Sequence, residues 1–130
     1  MLKYPSIAVD FDGTLGYSKP NDYPKISYIN KYAVDVLKEY KAKGGVCILW
    51  TARANKHLDL AVEALKKAGL EFDAINKNTQ EAIADWLNRY PNSGISPKIF
   101  TSLCIDDRAF PANITGLNWR AIRKEILKEY

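Results

Sequence analysis

Apolar residues in this chain follow two spacings: short unbroken runs, and longer stretches in which they recur every three or four positions. The runs are Ser6 to Asp10, Val46 to Trp50 and the apolar-leaning Ile99 to Ile105, with a shorter, more polar one at Glu71 to Ile75. Runs of this length predict buried parallel strands, and the polar alternation of Glu71 to Ile75 predicts a sheet edge. Helical spacing marks Tyr28 to Lys43, through Ile29, Tyr32, Ala33, Val36, Leu37 and Tyr40, and then Leu58 to Ala68. Gly44-Gly45 and Gly69 stop these two helices. Thr79 should cap a helix from Gln80 to about Arg89 that buries Ala82, Ile83 and Trp86. Asn118 should cap a last helix, Trp119 to Tyr130, with Trp119, Ile122, Ile126 and Leu127 inward. Residues 13–27 and 90–97 are rich in turn formers and read as loops, and Asn113 to Gly116 reads as a turn.

Strands alternating with helices imply right-handed crossovers, so the expected fold is α/β, a Rossmann-like three-layer arrangement with a parallel sheet. The strand order should be near 4-1-2-3, in one domain spanning residues 1–130. A hydrophobic content of 47% fits a globular core, and the net charge of +4 is spread along the chain rather than gathered into a basic stripe. That argues against a dedicated nucleic-acid binder but favours a phosphorylated substrate. No apolar run reaches the length of a membrane span, and Met1 to Pro5 lacks the apolar core of a signal peptide, so no membrane association and a cytoplasmic location are expected. Cys47 and Cys104 should be buried reduced thiols on strands flanking the first, roughly 9 to 10 Å apart by strand spacing and too far for a disulfide. His57, the only histidine, should face solvent.

The chemistry gathers where the strands end. Asp10 and Asp12 stand two apart at the end of the first run, and Gly13 lets the chain bend away at once. Carboxylates that close repel one another, and Mg²⁺ is the simplest means of holding both ionised. Asp106-Asp107 form a second acidic pair at the end of the fourth strand, and Thr51 follows the second. The Thr51 hydroxyl could bind a phosphate oxygen or cap a helix. Open parallel sheets bind ligands at the carboxyl ends of their strands, and all five residues fall there. Tyr17, Tyr23 and Tyr28 in or beside the first loop could line the approach, although local packing also explains them.

The segments IAVDFDGTL, ILWTAR, PKIF and CIDDRA, in that order from residue 7 to 109, resemble the four motifs of the haloacid dehalogenase superfamily of phosphatases. The likeness is to small capless members, and CIDDR is also similar to the nucleotidase branch. The resemblance implies a Mg²⁺-dependent phosphomonoester hydrolase. Asp10 would be the nucleophile forming an aspartyl-phosphate, and Asp12 the general acid and base. Asp10, the Asp12 backbone carbonyl, and Asp106 or Asp107 would hold the metal. Thr51 would bind a phosphoryl oxygen, and Lys98 would be its positive partner, with Lys77 the alternative. Gly13, Thr14, Ala52, Arg53 and Lys77 would line the substrate.

Neither residues 13–27 nor residues 76–97 can hold a cap domain, so the site should be open. An open site suits a large phosphorylated partner, or a neighbouring subunit of a homo-oligomer acting as lid. The substrate could be a nucleotide, a sugar phosphate, a nucleic-acid end or a phosphoprotein. Rival readings are a catalytically silent phosphoryl-binding module of the same fold and a metal-dependent transferase. A receiver domain fits less well, because its acidic pair lies at the first strand and its lysine comes last.

Overall fold

The computed structural model describes all of residues 1–130. Its centre is a four-stranded parallel sheet in which β1 (Ser6–Val9) lies between β4 (Val46–Leu49) and β6 (Leu103–Ile105), with β5 (Ala74–Ile75) at the outer edge of β4. That order, β5-β4-β1-β6, is the one expected from the pattern. A second, two-stranded antiparallel pair, β2 (Gly16–Tyr17) with β3 (Tyr28–Ile29), turns the first loop into a small flap. No cap domain is present, and no helix is long and apolar enough to cross a membrane.

The two sheet faces are covered unequally. Ile7, Val9, Cys47, Leu49 and Ile105 share one large core with α1 (Lys31–Ala42), α2 (Asn55–Lys67) and α5 (Trp119–Ile126), through residues such as Val34, Leu37, Tyr40, Ala61, Leu65, Trp119 and Ile126. On the other face Ala8, Ile48 and Ala74 cluster with Ile99 alone. Helix α3 (Gln80–Arg89) was expected to bury Ala82, Ile83 and Trp86, yet it has no buried residue and Trp86 is 38% exposed. Ile99 takes the place against the sheet, and Trp86 instead packs on Tyr90 and Phe100.

The other departures have local causes. The first helix begins at Lys31, because Asn30 Oδ1 accepts from Ala33 N at 3.0 Å and caps it there, and Tyr28 and Ile29 belong to the flap. The second starts three residues early, at Asn55. Only two residues of the third run pair as a strand, because the Asp73 side chain accepts from Cys47 N (2.8 Å) and the Asn76 side chain from Thr51 N (2.8 Å), where a longer strand would have supplied carbonyls. The last helix ends at Ile126, and Leu2 then bridges Glu129 in antiparallel fashion. A short helix, α4 (Ala112–Thr115), replaces the expected turn.

Cys47 is buried and its thiol is pushed up to about 12 by burial, but Cys104 is exposed. Strand β6 is an edge strand, and Cys104, paired in register with Ala8, faces the thinly covered side. An aromatic disulfide reagent should therefore titrate one thiol per chain in the native state and two after unfolding. Two fast native thiols, or none, would contradict this placement.

Candidate active site

The parallel ladder carries the functional residues to one edge. Asp10 N donates to Ile105 O (2.9 Å) and Trp50 N donates to Val9 O (2.9 Å), so the pairing continues past the strand ends and sets Asp10 beside Asp106 and Trp50-Thr51. One carboxylate oxygen from each of Asp10, Asp106 and Asp107 lies within 4.8 Å of the others. Thr14, with its hydroxyl between them, donates to Asp10 Oδ2 (3.1 Å) and accepts from Asp107 N (3.2 Å). Gly13 has φ +80, and a Cβ there would stand 2.3 Å from Asp107 Oδ2. Only glycine lets that backbone approach the carboxylate so closely.

Burial raises the Asp10 carboxyl from 3.8 to about 7; the hydrogen bond with Asp107 and the charges of Asp106 and Asp107 add to the rise, and the Thr14 hydroxyl opposes it. Asp107 Oδ1 is buried without any hydrogen-bond partner. Three crowded carboxylates, one with an orphaned oxygen, form a hard all-oxygen donor set of the kind that suits a divalent cation such as Mg²⁺. The residues present fit the metal.

These groups floor an open cleft of about 820 Å³ lined by Asp10, Asp12, Gly13, Thr51, Ala52, Asp106 and Asp107, with Tyr17, Ser18, Tyr23, Trp50 and Arg108 around them. Thr51 is half-buried; its hydroxyl accepts from Arg53 N (3.1 Å), and it does not cap α2, whose N-cap is Ala54. Tyr17 lies flat on Tyr28, ring centroids 4.7 Å apart, so two of the three tyrosines brace each other at the flap's base.

Thr14 and Arg53, expected to line the substrate, are instead buried. Thr14 orients Asp10 and Asp107. Arg53 grips Asp12 in a bidentate pair, Nε to Oδ2 at 2.8 Å and Nη2 to Oδ1 at 2.9 Å, while Nη1 donates to the carbonyls of Pro24 and His57, both at 3.0 Å. The guanidinium also lies 4.7 Å from the Tyr23 ring centre and 5.2 Å from that of Phe11. That leaves it no surface for a ligand. His57 is exposed, as its sequence position suggested.

Neither the Lys77 nor the Lys98 side chain lines the cleft, and both residues are exposed. The buried Asn78 nevertheless ties the two segments together, its Nδ2 donating to Lys98 O (3.1 Å) and its Oδ1 accepting from Phe100 N (3.0 Å). Lys98 is thus held beside the stretch that leaves the carboxyl end of β5. The chain then crosses the second sheet face through Ile99 and reaches the opposite end, where Ser102 N donates to Ser6 O (3.0 Å). Asn76, Asn78, Trp50 and Arg108 were not singled out from the sequence. Only Arg108, inside the segment CIDDR, carried a local signal.

No protein-family model matches the chain, and no curated protein matches it. Among solved structures, a hypothetical protein from Xanthomonas campestris has a TM-score of 0.45 at 20% identity over 89% of this chain and 71% of its own. A conserved protein coded by a locus of Bacteroides thetaiotaomicron has a TM-score of 0.71 at 35% identity, covering 92% of this chain and 86% of that one. At that identity and coverage the likeness extends beyond fold, and this chain belongs to the same family as the Bacteroides thetaiotaomicron protein.

Proposed function

We propose that the chain is a Mg²⁺-dependent phosphomonoester hydrolase of the capless haloacid dehalogenase type, acting in the cytoplasm. The observation that carries this reading is the convergence of Asp10, Asp106 and Asp107 at adjacent strand ends, with Asp12 two residues on at the same cleft. Asp10, the Asp12 carbonyl, and Asp106 or Asp107 would hold the metal, which when bound offsets the negative charge of both phosphate and carboxylates. An Asp10 oxygen attacks phosphorus, forming an aspartyl-phosphate as the ester P–O bond breaks, and Asp12 donates its proton to the departing alkoxide. Asp12 then takes a proton from water, whose oxygen attacks phosphorus and returns Asp10 as carboxylate with release of inorganic phosphate. Thr51 donates to a phosphoryl oxygen from the cleft wall. The open cleft admits a phosphate carried on a nucleotide, a sugar, a nucleic-acid end or a protein.

Lys98 supplies the positive charge opposite the phosphate. The Asn78 tie keeps the Lys98 backbone beside Lys77 at the end of the sheet that bears the carboxylates, and of the two it is the resemblance of PKIF to the family's third motif that favours Lys98.

A panel of phosphomonoesters assayed with and without Mg²⁺ should show metal-dependent release of phosphate, abolished in Asp10→Asn because an amide is a poor nucleophile. Wild-type turnover in Asp10→Asn would end the covalent scheme. Lys98→Ala should lower turnover by about 100-fold, as for loss of one charge-stabilising donor, and Lys77→Ala by far less. The opposite ranking moves the role to Lys77.

The raised Asp10 carboxyl gives a prediction independent of turnover. A group whose folded pKa lies above its unfolded value stabilises the fold below the unfolded value and loses that contribution as pH rises through the folded one. Without metal, the melting midpoint of the wild type relative to Asp10→Asn should fall as pH rises from about 4 to about 7 and level off above that. Mg²⁺ should raise the wild-type midpoint more at pH 8 than at pH 5, since protons compete for the same oxygens. A flat difference across this range would mean that the Asp10 carboxyl is not held protonated.

A further inference from the structure

Arg53 is the largest fully buried side chain of the protein, and it is charged. A cation is withdrawn from water here only because each of its three nitrogens is engaged: Asp12 takes Nε and Nη2, and the carbonyls of Pro24 and His57 take Nη1. These partners come from three separate parts of the chain: the bend after β1, the flap, and the first turn of α2. Tyr23 of the flap covers the guanidinium and meets the exposed His57 ring edge-on at 5.4 Å between centroids. Phe11 covers it from the core side, and the same Phe11 ring fills the space where a Cβ on Gly16, the first residue of the flap, would sit. Of the three residues that hydrogen-bond the guanidinium, only Asp12 opens into the cleft, which Tyr23 also lines from the flap.

We propose that Arg53 is a positioning residue that aims the Asp12 carboxyl at the leaving group and locks that aim to the seating of the flap, so that acid and flap move together. The proposal rests on the phosphatase reading above. A fork that engages both carboxylate oxygens fixes the plane of the group, and each oxygen keeps a lone pair for a proton. Lifting the flap removes the Pro24 carbonyl and the Tyr23 ring from the guanidinium, which frees it to turn and carry the carboxylate with it.

A structural brace and a positioning residue make different demands on the substrate. Arg53→Lys keeps the charge and loses the fork. Its kcat/KM on an alkyl phosphate, whose alkoxide must be protonated, should drop by about 100-fold, against less than about fivefold on p-nitrophenyl phosphate, whose phenolate leaves unaided. Equal losses on the two substrates would overturn the aiming role. The tie to the flap is read without turnover, by hydrogen exchange at the amides of Lys25 and Ser27, which donate within the flap to Asp22 O and Tyr17 O. Both Arg53→Lys and Asp12→Asn should speed exchange there at least about tenfold while amides of β1 and β4 keep their wild-type rates. Unchanged flap exchange in the two variants would overturn the coupling. Should the wild type cleave neither ester, the phosphatase reading falls, and the exchange rates still decide whether Arg53 joins Asp12 to the flap.

Discussion

Mutual repulsion among carboxylates is the constraint on which the rest of the molecule depends. Parallel pairing of β1 with β6 brings Asp10 next to Asp106 and Asp107, and their backbones stay neighbours while that register holds. The register in turn is held by the apolar faces of Ile7, Val9, Leu103 and Ile105, which would be turned to the opposite side by a slip of one residue. Hydrophobic burial thus supplies the force that compresses the charges. Thr14 and Gly13 permit the close approach, one by a hydroxyl shared between two groups and the other by having no side chain.

The features legible in the sequence are those that local pattern controls. Strand identity, sheet order and the strand-end position of Asp10, Asp12, Thr51, Asp106 and Asp107 follow from apolar runs ending in polar residues. The caps at Asn118 and Thr79 follow from single side chains. Arg53 could not be placed this way. An arginine two residues past a strand-end threonine reads as a phosphate ligand, and its burial depends on Pro24 and Tyr23, about thirty positions earlier, closing over it. Helix α3 departs from its pattern for a similar reason: its periodicity is genuine, but Ile99, from a segment with no helical signal, occupies the sheet face in its place.

Unequal cover of the two sheet faces divides the molecule into a firm half and a lightly held one. Helices α1, α2 and α5 share one continuous core with the sheet, whereas residues 76–101 meet the sheet mainly through Ile99 and through Asn76, which donates to Leu49 O and accepts from Thr51 N; the contacts of Asn78 and Trp86 lie within the segment itself. The carboxylates therefore rest on the firm part. Lys98 hangs on the lightly held part, where a charge can be presented and withdrawn without disturbing the strands.

The flap holds its two feet tightly and its crown loosely. Gly16 and Tyr17 are paired with Tyr28 and Ile29, but Lys19 to Tyr23 all face solvent. Extra chain spliced between Lys19 and Asp22 would leave the paired feet, Phe11 and Arg53 where they are, and each doubling of that loop would cost only about 0.6 kcal/mol in closure entropy. A roof over the cleft could therefore grow from this crown by insertion alone. In this fold the step from an uncovered pocket to an enclosed one is a matter of chain length at one permissive point, with no change to the sheet beneath.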